Sequence, residues 1–172
     1  MLPKLIITDI DGVWTDGSMY YDQTGNELKR FHTYDSAGIL FARLQNIPVV
    51  IITGEDTEIV NSRAKKVKVD YLFQGVQNKV EVLSSLIKEL KISIKDCAFI
   101  GDDINDIPLL EMVGFSACPC NSADYVKCRV DLITQKKGGE GAFREFVEHI
   151  LKLNNVLEET IEAAINHHKT PS

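Results

Sequence analysis

Ile6-Ile7-Thr8-Asp9-Ile10-Asp11-Gly12-Val13-Trp14-Thr15 carries an apolar run straight into two carboxylates one residue apart, then a glycine. Aspartate disfavours strand interiors, so the pattern predicts a buried strand from Lys4 to Thr8 that ends here. Both acids then point into the crevice at its carboxyl edge, which in an open α/β sheet is where ligands bind. Two carboxylates so close repel. One must carry a proton, or a cation must sit between them.

Outward from this stretch the chain alternates strand and helix signals. Ser18 to Tyr21 and Glu27 to Thr33 flank a Gly-containing connection and predict a hairpin, rich in aromatics at Tyr20, Tyr21, Phe31 and Tyr34. Asp35 to Gln45 carries Ile39, Leu40 and Leu44 at helical spacing, with Asp35 or Ser36 as N-cap. Pro48 to Thr53 predicts a second buried strand, Thr57 to Val67 a helix, and Asp70 to Phe73 a short strand. Lys79 to Leu90 predicts an amphipathic helix and Cys97 to Ile100 a strand ending in Gly101-Asp102-Asp103. Shorter elements follow: a strand at Phe115 to Ala117, a brief helix at Ala123 to Val126 and a last strand at Asp131 to Thr134. A long helical stretch then runs from Ala142 to about His168, with a break placed near Asn154-Asn155. Strands alternating with helices argue for an α/β, three-layer, Rossmann-like doubly wound parallel sheet with a hairpin insertion. With 172 residues and no linker, the expectation is a single domain over 1–172, with the hairpin at 17–33 and a helical tail at 154–168.

Composition narrows the function. A net charge of -6 gives no basis for attachment to nucleic acid or an anionic membrane. There is no run long enough to span a bilayer and no secretory pattern at the N-terminus, so a cytoplasmic protein is expected. The four cysteines, including Cys118-Pro119-Cys120, lack the paired Cys/His spacing of a zinc site and read as structural thiols. His32, His149, His167 and His168 have no partner motif and read as non-catalytic.

Right-handed crossovers bring the strand C-termini to one side, and so bring Asp9, Asp11, Thr53, Asp102 and Asp106 to one crevice. Asp9 and Asp102 offer hard oxygen ligands suited to Mg²⁺. The Thr53 hydroxyl and Gly54 amide can donate to phosphate oxygens, and Lys79 adds positive charge. A carboxylate nucleophile, a metal and cationic donors are what transfer of a dianionic phosphoryl group requires. Taken singly, each motif has a bland reading: Asp-x-Asp-Gly as a turn, Thr53-Gly54 as a strand end, Lys79 as a solvated lysine, and Gly-Asp-Asp as a helix cap. All of them in this order make the catalytic reading the stronger one.

That order resembles the haloacid dehalogenase-type phosphatases. Asp9, Asp11 and Thr15 match the family's first motif, Thr53 its second, Lys79 its lysine, and Gly101-Asp102-Asp103 with Asp106 its acidic motif. The resemblance implies Asp9 as nucleophile and Asp11 as acid/base, with Thr53 and Lys79 also catalytic. It implies Mg²⁺ on Asp9, the Asp11 carbonyl and Asp102, with Asp103 and Asp106 behind them. The gaps between motifs leave no room for a cap domain. Asp16-Gly17, Phe73-Gln74-Gly75 and Gly138-Gly139-Glu140-Gly141-Ala142-Phe143-Arg144-Glu145 look like the capless branch acting on 8- or 9-phosphates of 3-deoxy-2-keto sugar acids. Members of that branch are homotetramers whose hairpins assemble and whose neighbours close the active site.

One position departs from the octulosonate (KDO 8-phosphate) enzymes of lipopolysaccharide biosynthesis. They carry Arg after the Thr-Gly pair, where this chain has Glu55. A carboxylate there can accept hydrogen bonds from sugar hydroxyls, while Arg63 or Lys66 pairs with the substrate carboxylate. Glu55 with Lys66 resembles the nonulosonate variant of sialic acid-like sugar biosynthesis, acting on KDN 9-phosphate. Two other readings compete. One is a non-catalytic domain partnering a sugar-acid cytidylyltransferase, and the other is a protein- or nucleotide-directed phosphatase using the open site.

Overall fold

The structure, a computed structural model, describes residues 1–167. Strand β1 (Leu5–Thr8) is buried along its whole length. The hairpin strands β2 (Tyr20–Tyr21) and β3 (Glu27–Leu28) follow, then helix α1 (Asp35–Leu44). The rest of the order is β4 (Val49–Ile52), α2 (Glu58–Val67), β5 (Tyr71–Phe73), α3 (Lys79–Leu90), β6 (Cys97–Ile100), α4 (Ile107–Leu110), β7 (Phe115–Cys118), α5 (Asp124–Lys127), β8 (Leu132–Ile133), α6 (Ala142–Leu153) and α7 (Leu157–His167). Six strands form one sheet in the order β5-β4-β1-β6-β7-β8, and all neighbours are parallel. The chain winds one way from β1 to β5 and the other way from β6 to β8. The crevice at the reversal therefore opens above the C-terminal end of β1.

Alternation along β1 feeds two cores. Ile6 joins Trp14, Phe143 and Phe146 under α1, α2, α6 and α7, while Leu5 and Ile7 join Leu83, Leu86 and Phe99 under α3, α4 and α5. A strand buried on both faces reads as a continuous apolar run, and full burial of each such side chain contributes roughly 1.5–3 kcal/mol. Among the described residues no helix is long and apolar enough to cross a membrane.

Several local expectations change. The hairpin strands are only two residues each, extended by a bridge between Thr15 and Phe31. The turn is held instead by the Asp22 carboxylate, which accepts from the backbone N–H of Thr24 and Asn26 and from both their side chains. Neither Asp35 nor Ser36 caps α1: the N-cap position is Tyr34, with no side-chain bond. Asp35 is buried and accepts the Arg144 N–H at 3.1 Å, so it caps the start of α6, whose own N-cap residue is a glycine. Burial pushes the Asp35 carboxyl up to about 7.

The terminal helical stretch breaks where the asparagines stand. Asn155 takes a left-handed conformation at φ 58° between α6 and α7. Helix α7 packs against α1, and Gln45 donates to the buried Thr160 hydroxyl at 2.8 Å. His168 lies outside the described residues.

Candidate active site

β1, β4 and β6 end side by side and deliver Asp9, Thr53 and Asp102 to one crevice of about 260 Å³, also lined by Asp11, Glu55 and Asp103. Larger hollows exist. The one beside α6, about 640 Å³, is lined by charges that pair with each other, such as Arg144 with Glu148 at 2.6 Å. Chemistry, not volume, selects the crevice.

The loop after β1 turns tightly, with the backbone N–H groups of Val13, Trp14 and Thr15 all donating to the Ile10 carbonyl. The Thr15 hydroxyl accepts from the Gly12 and Gly17 N–H groups and donates to Asp11 Oδ1 at 3.1 Å. Trp14 Nε1 donates to Thr8 Oγ1, which in turn donates to the Asp9 carbonyl, pinning the loop to the strand that precedes it. Gly12 sits at φ 88°, and any Cβ there would overlap the Asp102 carboxylate. Gly138 abuts the Gly12 carbonyl in the same way, and Gly139 donates to the Val13 carbonyl at 3.1 Å. The 138–141 glycine-rich segment is therefore a brace that seats the loop after β1 against α6.

Lys79 opens α3, whose N-terminus is capped by the Asn78 side chain. Its buried ammonium lies 2.9 Å from Asp9 Oδ1 and donates to Asp106 Oδ1 at 2.7 Å. Asp106 uses its other oxygen to accept from the backbone N–H of Asp102 and Asp103. It holds Lys79 and the acidic loop in place and is not among the residues lining the crevice. Asp103 caps the turn that follows and also accepts from Tyr125 Oη.

Asp102 is the carboxylate left over. Oδ1 is buried without a hydrogen-bond partner, and desolvation, reinforced by Asp9, Asp106 and Asp103, pushes its pKa to about 8. Burial likewise raises Asp9, against the lowering effect of Lys79. Carboxylate oxygens of Asp9, Asp102 and Asp106 lie within 4.8 Å of one another. With Asp106 committed to Lys79, the buried, unpartnered Oδ1 of Asp102 beside the Asp9 carboxylate, whose Oδ1 meets Lys79, fits a hard divalent ion such as Mg²⁺. Because ligation needs the ionised form, the sign of the pH effect is fixed: raising the pH towards and past about 8 deprotonates Asp102 and favours the ion. Calorimetric titration should show Mg²⁺ affinity rising by up to about tenfold per pH unit between pH 6 and 8, with proton release. A pH-independent affinity would be incompatible with this site.

The remaining sites of the sequence reading divide. Glu55 lines the crevice. Arg63 does not: it donates to the His32 carbonyl and Ser36 Oγ, and its guanidinium lies over Trp14 and Phe31. Planar guanidinium packs well on aromatic faces, and here it anchors α2 to the hairpin base. Lys66 is exposed, about 12 Å along α2 from its start, and does not line the crevice. One residue was missed. Lys29, at the end of β3, buries its ammonium 2.8 and 2.9 Å from the two oxygens of Asp11 and 3.4 Å from Glu27 Oε1. Only the period-two alternation around exposed Leu28 hinted that Glu27 and Lys29 share the inward face.

A model of the haloacid dehalogenase-like hydrolases matches residues 55–146. The 3-deoxy-D-manno-octulosonate 8-phosphate phosphatase KdsC of Salmonella typhi is 37% identical over 156 residues, 91% of this chain and 83% of that enzyme. This chain belongs to the haloacid dehalogenase-like hydrolases, in the KdsC-like family. Among solved structures, a probable YrbI family phosphatase from Pseudomonas syringae pv. phaseolica matches at TM-score 0.88 and 38% identity, covering 99% of this chain and 94% of that one. The octulosonate 8-phosphate phosphatase of Moraxella catarrhalis, solved with magnesium, phosphate and KDO, matches at TM-score 0.90 and 35% identity, covering 94% and 92%. A KdsC-like fold thus places the carboxylate pair of this chain in a sheet architecture that elsewhere carries magnesium and phosphate together.

Proposed function

We propose that this chain is a Mg²⁺-dependent phosphomonoesterase acting on a 3-deoxy-2-keto sugar acid phosphate, KDN 9-phosphate in particular. The observation that carries the reaction is the convergence of Asp9, Asp11, Thr53, Lys79 and Asp102 at the ends of adjacent elements. Asp9 attacks phosphorus as the ester P–O bond breaks, and Asp11 gives its proton to the leaving oxygen. Water then attacks the aspartyl-phosphate, Asp11 takes a proton from that water and is protonated again, and inorganic phosphate leaves with Asp9 restored. Thr53, the Gly54 amide and Lys79 hold the phosphoryl oxygens. Mg²⁺ held by Asp9, Asp102 and the Asp11 carbonyl would neutralise the dianion.

Glu55 supports the nonulosonate. It faces a crevice already lined by Asp9, Asp11, Asp102 and Asp103, where a further carboxylate suits sugar hydroxyls and not a second anionic group. The octulosonate is the second reading, favoured by the activity named for the relatives. Lys66 and Arg63 gain no support as partners of the substrate carboxylate within one chain. At about 260 Å³ the crevice is below the usual size of a closed ligand pocket. Exposed Met19, Tyr20, Tyr21 and Leu28 on the hairpin are where we place the contacts of a homotetramer whose neighbours complete it. Steady-state kinetics with Mg²⁺ on KDN 9-phosphate, KDO 8-phosphate and N-acetylneuraminate 9-phosphate decide the substrate. The expected result is a kcat/KM at least about tenfold higher for KDN 9-phosphate. A preference for the octulosonate removes the reading of Glu55.

A further inference from the structure

Lys29 is the one inward-facing cation of the hairpin that reaches the catalytic loop, and its placement is unusual for a lysine. Its side chain is 1% exposed, and its ammonium meets both oxygens of Asp11 and, at 3.4 Å, Glu27 Oε1. Burying an ammonium costs several kcal/mol unless charged partners surround it, so this geometry is set by those partners and not by packing of the stem. Asp11 has one other side-chain donor, the Thr15 hydroxyl at 3.1 Å. Two further polar ties of the hairpin land nearby on Asp16, from Tyr20 Oη at 2.7 Å and Arg30 Nη1 at 3.3 Å. The inner side of the hairpin is therefore fastened to the 11–16 loop, while its base is tied to α2 through Arg63 and the His32 carbonyl.

We propose that Lys29 is a positioning residue for the proton transfers of Asp11, fixing its carboxylate through the hairpin. With Lys29 across both oxygens and Thr15 on Oδ1, the carboxylate is held in a single orientation towards the leaving group or the attacking water. In the geometry seen here both oxygens accept from Lys29, an arrangement suited to the carboxylate form that serves as base in the second step. The hairpin is thereby part of the catalytic apparatus as well as a surface: displacing β3 would release the carboxylate it carries in its grip.

This inference rests on the proposed role of Asp11, and the experiment separates the two. Lys29→Met, Lys29→Gln and Asp11→Asn are compared on a primary alkyl phosphate, whose leaving oxygen needs a proton, and on p-nitrophenyl phosphate, whose leaving group does not. The readout is the ratio of alkyl-phosphate turnover to the p-nitrophenolate burst in the same sample, which cancels any difference in folded fraction. Asp11→Asn should lower that ratio by about 10²–10⁴-fold, the usual worth of a positioned acid or base. Both Lys29 variants should lower it by about 10-fold or more, with the burst changed by less than about threefold. If the Lys29 variants depress both substrates in parallel, or leave the ratio or raise it, Lys29 does not position Asp11. If Asp11→Asn leaves the ratio unchanged, the acid/base role of Asp11 falls, and the inference with it.

Discussion

Asp9→Asn should abolish phosphate release while the chain stays folded. An amide oxygen is a poor nucleophile, so no aspartyl-phosphate forms and kcat should drop by at least about 10⁴-fold, as for removal of a catalytic nucleophile elsewhere. Stability should move little, because Asp9 is one of several acids crowded in a desolvated cluster that raises its own pKa, and Lys79 keeps its 2.7 Å bond to Asp106. The unfolding free energy from urea titration should stay within about 1 kcal/mol of the parent. Phosphate release within tenfold of the parent would sink the covalent mechanism.

Lys79→Met should do the opposite to stability and much the same to rate. The ammonium is buried between Asp9 and Asp106. Burial alone would lower its pKa, but the two carboxylates raise it above the ordinary lysine value, so it stays charged. Removing it leaves two buried carboxylates without their cation, a loss of about 3–5 kcal/mol. It also removes the donor we propose for the phosphoryl oxygens, worth about 10²–10³ in kcat. An exposed helix lysine would cost neither. A variant as stable as the parent would show that the pairs seen here do not persist in solution.

Much of this site was legible in the chain. The apolar run into Asp9-Ile10-Asp11 announces a strand end, because carboxylates disfavour a buried strand; the same logic locates Asp102, and the Gly54-Glu55 pair ends the next strand at Thr53. Elements with a strong period, such as α3, kept their expected bounds. The misreadings concern residues whose partner lies far away in sequence. Asp35 has the composition of an N-cap and is one, but for α6, more than a hundred residues on. Arg63 has the charge to bind an anionic substrate, yet two aromatic faces and a backbone carbonyl claim it first. Lys29 resembles any solvated hairpin lysine until the hairpin folds over Asp11.

The two adjacent carboxylates pose the clearest division. Sequence alone determined that they end a strand at the sheet's ligand edge, since that follows from local propensity and the parallel winding. It also determined that their repulsion needs an answer. Only the tertiary structure decided what answers it. Lys79 from α3 sits against Asp9 and Lys29 from the hairpin against Asp11, while Asp102 from β6 is left with a buried oxygen for a metal. Charge pairing acts over a few ångströms in space and is indifferent to separation along the chain, so no local pattern could assign those partners.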